Sequence, residues 1–226
     1  MFPVYTKSEE PRNNVGANMN VKAISLGIMG VNCYLLNDGR EAAVIDPGAE
    51  CETIIKYLAD NGLTLSKILL THGHFDHIGA LCDLAEKTGA KVYVHSGDSK
   101  MLTDNGANLS FLMGDRIKPY EADVLLDDVK EIPLGSTAIK VFHTPGHSAG
   151  SVSYLWGDNL FCGDLLFNGS IGRYDFGDLE TELRSIKFLM DNFDEETKVY
   201  PGHGEATTIG FEKKNNPYSI HWNELK

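Results

Sequence analysis

An α/β fold is what this sequence predicts, and three observations predict it. Short apolar runs of β-type residues alternate with helical segments that keep one apolar face. Residues able to do chemistry sit just after those runs, in glycine-containing turns, where strand-end loops gather the sites of α/β folds. No internal repeat or low-complexity linker interrupts the pattern, so residues 19–226 are expected to form a single domain.

The elements follow in order. Val21 to Leu26 and Asn32 to Leu36 read as strands joined at Gly27 to Gly30. Ala42 to Ile45 reads as a third strand, ended by the turn sequence Asp46-Pro47-Gly48. A helix is predicted over Glu50 to Asp60, with Ile54, Ile55 and Leu58 on one face and Gly62 closing it. Ile68-Leu69-Leu70 reads as a buried strand, Ile78 to about Thr88 as a helix, and Lys91 to Val94 as a strand ending at His95. From Ser96 to Gly135 the pattern weakens into an excursion, with a short helix near Ser99 and a mixed segment around Phe111 to Ile117. Ala138 to Phe142 is a strand, and Ser151 to Leu155 with Asn159 to Phe161 form a hairpin around Trp156-Gly157-Asp158. Leu179 to Met190 is amphipathic, with Leu179, Leu183, Ile186 and Met190 on one side, and Lys198 to Tyr200 is a last strand. The residues after His203 hold the turn signal Asn215-Asn216-Pro217 and otherwise read as an unpatterned tail.

Composition bounds the function. The length of 226 residues suffices for one large domain with a full core. The net charge of −12 repels phosphate backbones and so disfavours nucleic acid as a partner. No run is long enough to span a membrane. Cys33, Cys51, Cys82 and Cys162 form no C-x-x-C pair and read as free thiols of a cytoplasmic protein. Met1 to Asn18 lacks the charged and apolar regions of a secretory signal, and reads as a disordered tail or a remnant of expression. The expected partner is a small molecule, for a monomer or a homodimer.

The chain is organised around Thr71-His72-Gly73-His74-Phe75-Asp76-His77, which follows the Ile68-Leu69-Leu70 strand. In extended chain, residues two apart face the same way, so His72 and His74 can reach one ion together. Asp76 and His77 are neighbours that can diverge at the first turn of the following helix and serve a second ion. His147, Asp164 and His203 lie far away in sequence, each after a β-type run and beside a glycine. Thr144-Pro145-Gly146-His147 and Tyr200-Pro201-Gly202-His203 repeat one device, in which Pro and Gly make a sharp turn that presents an imidazole.

These motifs, in this order over Val21 to Asn216, resemble the metallo-β-lactamase superfamily: H-x-H-x-D-H, a later His in P-G-H, a bridging Asp and a final His. The resemblance implies a four-layer αβ/βα sandwich, two mixed sheets flanked by helices, with metals at one edge between the sheets. It implies a first metal on His72, His74 and His147, a second on Asp76, His77 and His203, and Asp164 bridging them. Asp46 matches a further family motif, an Asp that holds a ligand from behind rather than touching the metal. Two divalent ions are expected, Zn²⁺ first, with Fe or Mn compatible with the nitrogen and oxygen donors. Asp76 and Asp164 are the catalytic carboxylates on this reading, and a water bridging the ions becomes the nucleophile near neutral pH.

Within the superfamily the sequence is most similar to short glyoxalase II-like enzymes, in which the loop after the bridging Asp resembles G-S-I-G-R-T-D. Here Gly169-Ser170-Ile171-Gly172-Arg173-Tyr174-Asp175 carries Tyr174 in place of Thr. Arg173 and Tyr174 are candidate substrate contacts; alternatively Arg173 pairs with a carboxylate and holds the loop. A thioester hydrolase is expected, acting on S-lactoylglutathione or other small acyl thioesters. A thiol with a pKa of about 8.5 leaves as thiolate without a strong general acid, and the sequence shows no obvious extra acid. The helical domain that grips glutathione in full-length glyoxalase II is not expected after His203. Weak KM and broad thioester tolerance are therefore expected, with Leu112-Met113-Gly114 and Tyr120 walling the cleft instead. The alternative is a persulfide dioxygenase with one iron, whose G-R-T-D-F-like loop is close to Gly172 to Phe176. His95 and His221 are expected to be structural or solvated, and His143 to lie behind the ligands. Trp156 is expected to pack in the hairpin.

Overall fold

The computed structural model describes residues 19–114, 116–175 and 177–225. The expectation for Met1 to Asn18 falls outside the described residues, as does Phe176.

In the first half, β1 (Met19–Leu26), β2 (Val31–Asp38) and β3 (Glu41–Ile45) form an antiparallel meander. α1 (Cys51–Asp60) returns the chain to β4 (Thr64–Leu69), parallel to β3. α2 (Phe75–Ile78) and α3 (Leu81–Thr88) lead to β5 (Lys91–Val94), and α4 (Ser96–Ser99) begins the excursion that ends in β6 (Val124–Leu125). The sheet order is β1-β2-β3-β4-β5-β6. In the second half, β7 (Glu131–Leu134), β8 (Thr137–His143), β9 (Val152–Trp156) and β10 (Asn159–Gly163) are antiparallel neighbours. A small hairpin, β11 (Leu166–Phe167) and β12 (Ser170–Ile171), precedes α5 (Leu179–Asn192). β13 (Lys198–Pro201) then lies parallel to β10, followed by β14 (Thr207–Thr208), α6 (Ile209–Asn215) and α7 (Ser219–Glu224). The second sheet runs β14-β13-β10-β9-β8-β7.

Period-two alternation sorts the side chains into layers. Tyr34, Leu36, Ala43, Ile45 and Leu69 point from the first sheet into a core shared with Ile139, Tyr154, Trp156 and Phe161 of the second. The intervening Cys33, Leu35, Ala42, Val44 and Ile68 pack with Ile54 and Leu58 of α1 and Leu81 and Leu84 of α3. Leu160, Cys162 and Val199 pack with Leu183, Ile186 and Leu189 of α5. Helices, sheet, sheet and helices make the four-layer sandwich. Central strands are buried on both faces, which is why they read as near-continuous apolar runs. Trp156 belongs to the core between the sheets, its indole N–H donating to Thr137 Oγ1 at 2.9 Å.

Several elements depart from expectation, among them β6 and β7 inside the Ser96 to Gly135 excursion and the β11–β12 hairpin. The helix predicted from Ile78 to Thr88 begins at Leu81, and Ile78 ends a separate turn, α2, that starts at Phe75. Gly79 lies so close to the β3–α1 loop that a Cβ would stand 2.1 Å from the Gly48 carbonyl oxygen, and Ala80 N–H donates to Pro47 O at 2.9 Å. α2 is therefore a separate turn carrying Asp76 and His77. The stretch after His203 is also structured: Thr208 caps α6 by accepting from Phe211 N–H, and α7 buries Trp222 in the core beneath α5. α6 and α7 have seven and six residues, too few for a helical period to stand out.

Candidate metal centre

One edge of the sandwich collects the ends of β3, β4, β8, β10 and β13. Cross-sheet hydrogen bonds close it. Val152 N–H donates to Thr71 O at 2.8 Å and Tyr154 Oη to Leu70 O at 2.7 Å. Asn32 N–H donates to Gly202 O at 2.7 Å and Tyr34 Oη to Pro201 O at 2.5 Å. Glycines let the loops approach. A Cβ on Gly202 would lie 2.1 Å from Asp164 Oδ1, and one on Gly48 would lie 1.7 Å from Asp76 O.

The candidate ligands meet here in two sets, and a third group, Asp46 with His72 and His77, overlaps both. His72, His74 and His147 bring their donor atoms within 4.8 Å of one another, and so do Asp76, His77 and His203. His74 Nδ1 faces His147 Nε2 at 2.9 Å, and His203 Nε2 faces Asp76 Oδ2 at 3.1 Å. Asp164 lies between the sets, with Oδ1 3.4 Å from His77 Nε2 and Oδ2 3.8 Å from His147 Nε2 and 3.7 Å from His203 Nε2. Buried polar atoms normally have partners. Here His72 Nε2, His77 Nε2 and Asp164 Oδ1 are buried with none. Converging lone pairs of nitrogen and carboxylate oxygen, left unpaired by the protein, fit divalent metal ions.

The far side of four of the five rings is held. Thr71 Oγ1 is 3.1 Å from His72 Nδ1, Asp46 Oδ2 accepts from His77 Nδ1 at 2.9 Å, the Arg173 carbonyl accepts from His147 Nδ1 at 2.8 Å, and the Met29 carbonyl is 3.2 Å from His203 Nδ1. Such partners select the ring tautomer and aim the other nitrogen. Asp46 also accepts from Thr71 N–H and Thr71 Oγ1, at 2.8 and 2.6 Å. Asp46→Asn removes the negative charge behind His77 while keeping the side-chain shape. About tenfold weaker metal binding is expected, measured by chelator competition. Wild-type affinity in the variant would show that Asp46 only shapes the turn.

Electrostatics shift proton affinity among the donors, lowering some and raising others. Burial and the neighbouring imidazoles push His72 well below the ordinary histidine range, and hold His74 down at about 4. Burial opposes charge on His77, yet Asp164 and Asp46 outweigh it and raise its proton affinity. Burial also opposes ionised Asp164, but His77, His147 and His203 hold it well below the usual carboxylate range. Against burial, the His203 hydrogen bond and the His77 charge lower Asp76.

Two residues here carry no signal in the sequence. Asp98, at the end of the short α4, is buried and accepts from Gly73 N–H at 3.0 Å, Ser148 Oγ at 2.6 Å and Gly150 N–H at 2.7 Å. It clamps the His72–His74 segment to the loop after His147. Glu182 of α5 is fully buried with both carboxyl oxygens unpartnered, and burial, then Asp164, push its pKa up to about 8. The sequence does not single it out, although three residues after Leu179 and four before Ile186 it sits beside the apolar face of α5.

Other expected residues lie apart from the donor sets. The Arg173 guanidinium makes a forked pair with Asp175, at 3.1 and 2.5 Å, and its side chain is exposed. That is the loop-holding arrangement; Arg173 also lines the cavity over the donors. Tyr174 is 43% exposed and outside that lining. His95 and His143 stack on each other with ring centroids 3.9 Å apart, and the His143 Nε2 contact at 3.0 Å is with Ala149 O, not with a ligand. Tyr120 bonds to Asp123 and packs against the first-sheet core, so it does not wall the cleft. The cavity, about 310 Å³, is bounded by Met29, Phe75, Leu109 and Phe167 around the His and Asp donors.

Comparison with known proteins bears on this geometry. A family model of the metallo-β-lactamase superfamily matches residues 26–203. A probable metallo-hydrolase, YqgX of Bacillus subtilis, is 38% identical over 88% of this chain and 97% of its own. Hydroxyacylglutathione hydrolase GloC of Haemophilus influenzae is 33% identical over 88% of this chain and 98% of its own. Among solved structures, the BLEG-1 B3 metallo-β-lactamase superposes with a TM-score of 0.85 at 42% identity, covering 88% of this chain and 99% of that one. TTHA1623 in a di-iron-bound form gives 0.78 at 38%, covering 88% and 100%. With the sandwich, the order of the motifs and the converging His and Asp donors all in agreement, this chain belongs to the metallo-β-lactamase superfamily, as a metallo-hydrolase whose cluster is able to bind metal.

Proposed function

We propose that this protein is a dinuclear metal-dependent thioester hydrolase of the glyoxalase II type. The observation that carries the reading is the pair of three-donor sets with Asp164 between them, on the floor of one open cavity. His72, His74 and His147 would hold one ion, Asp76, His77 and His203 the other, and Asp164 both. When bound, such ions activate water and polarise a carbonyl. The protein's own residues aim the donors, through Thr71, Asp46 and the Arg173 and Met29 carbonyls. Met29, Phe75, Leu109 and Phe167 form the apolar walls around the reacting carbonyl.

The leaving group decides the substrate class. Every titratable side chain lining the cavity is a proposed metal ligand, apart from Arg173, which cannot act as an acid near neutral pH. No side chain in the lining is therefore available to protonate a departing amine. A thiolate needs no such proton, since its conjugate acid has a pKa of about 8.5. The likeness to a hydroxyacylglutathione hydrolase supports the same choice. All four cysteines are free thiols, in keeping with a reducing, cytoplasmic setting.

The test is elemental analysis joined to a substrate panel. About two metal ions per chain are expected, zinc first, with iron compatible with the likeness to a di-iron protein. S-Lactoylglutathione and simple acyl thioesters are expected to turn over faster than a chromogenic cephalosporin. A single iron with thiol-dependent oxygen uptake would favour the dioxygenase reading. Faster cephalosporin than thioester turnover would favour a β-lactamase, the activity for which the 42%-identical BLEG-1 is named.

A further inference from the structure

A second, larger cavity of about 510 Å³ adjoins the first across Met29, Phe75 and Asp76. Its walls come from the β1–β2 turn, the start of α1, the α2–α3 junction and the segment around Arg116. Three large apolar side chains of its lining stay exposed: Ile28 at 89%, Met29 at 49% and Met113 at 45%. Apolar groups left open around a concave surface beside a reaction centre mark a place for ligand.

The charged groups of this cavity are mostly occupied. Glu50 accepts from Gly27 N–H and Thr53 Oγ1, at 3.0 and 3.3 Å. Lys118 pairs with Glu86 at 2.7 Å and faces Asp83 at 3.7 Å. Asp76 belongs to the metal centre. Arg116 makes no ion pair or side-chain hydrogen bond among the described residues, and it is exposed. It is left without a carboxylate partner among the described residues of a chain whose acidic side chains outnumber its basic ones by 32 to 20. It presents a planar fork suited to a carboxylate or phosphate.

Resting on the thioester reading, we propose that this cavity binds the thiol arm of the substrate. Its occupant is an arm with apolar methylene stretches that lie along Ile28, Met29 and Met113, ending in an anionic group at Arg116. A thioester has two arms on either side of one carbonyl. The smaller cavity, closed by Leu109 and Phe167, takes the carbonyl and a compact acyl group. The larger one opens beside Asp76 and has the room and the cation for a bulky anionic thiol.

The test uses metal-loaded enzyme and two lactoyl thioesters, one of glutathione, which is anionic, and one of N-acetylcysteamine, which is neutral. Arg116→Glu is expected to raise KM for the glutathione thioester about tenfold, with kcat and the neutral thioester changed by less than about twofold. Lys56→Glu, on the exposed face of α1 outside both cavities, controls for net charge and should change neither. Equal effects on both thioesters, or none, would overturn the proposal. An effect that follows a charged acyl group in place of the thiol would overturn the assignment of arms. Calorimetric binding of S-methylglutathione, which cannot be hydrolysed, separates this proposal from the functional one. Binding weakened fivefold or more by Arg116→Glu supports the cavity even if no thioester turns over. Unchanged binding, in an enzyme that hydrolyses thioesters, overturns the cavity and leaves the activity standing.

Discussion

Asp164→Ala is expected to lower thioester turnover by at least about a thousandfold while the protein stays folded. Asp164 is the carboxylate between the two donor sets, with His77, His147 and His203 all within 3.8 Å. Its loss removes a shared donor and the negative charge that these imidazoles face. Among the groups that raise the proton affinity of His77, Asp164 contributes most and Asp46 would remain. The fold should survive because the edge is joined without this carboxylate: Gly202 and Gly163 link β10 to β13 through their own backbone at 2.8 Å. Circular dichroism and metal content measured beside turnover separate the effects. A folded Asp164→Ala variant with near-normal activity would remove the shared carboxylate from the mechanism.

Glu182→Gln is expected to flatten the pH dependence of stability between about pH 5 and pH 8. The carboxyl ionises near 4.5 when unfolded and holds its proton to about 8 in the native state. Between those values the folded chain carries the extra proton, so stability falls as pH rises, by about 1.4 kcal/mol per unit. At pH 7 the accumulated cost is on the order of 3 kcal/mol. The amide cannot ionise, so it removes the slope. Glu182→Leu also removes the unpartnered polar atoms and should be the most stable of the three. Urea unfolding of chelator-treated protein at several pH values measures this, with the difference between variant and wild type cancelling the histidines. A wild-type slope in Glu182→Gln would show the carboxyl to be ionised and paired in the native state. The position also bears on the centre: a Cβ on Gly172 would meet both Asp164 O, at 1.7 Å, and Glu182 Oε1, at 2.7 Å. The loop after Asp164 is thus packed directly onto a buried acid.

Much of the centre was legible because its chemistry is local. Each candidate ligand sits within a few residues of a strand end and a glycine: His72-Gly73-His74, Gly146-His147, Gly163-Asp164, Gly202-His203. Strands buried on both faces announce themselves by composition, so the longer strands could be read as well, while their sorting into two sheets came from the family resemblance. Short helices could not. α6 and α7 are held by what they dock against, Trp222 under α5, more than by their own periodicity.

By itself the sequence determined the donor atoms, their order and the turns that present them, since these depend on residue type and neighbours a few positions away. Only the tertiary structure decided which of these side chains come together and what holds them. His74 meets His147 across 73 residues, and His203 meets Asp76 across 127. Asp98 looks like an ordinary turn residue until its carboxylate reaches Gly73, Ser148 and Gly150, 25, 50 and 52 positions away. Arg116 stands beside the cleft because the excursion folds back over the β1–β2 turn. No local pattern encodes such meetings; they follow from packing two sheets face to face, which brings the ends of distant strands to one edge.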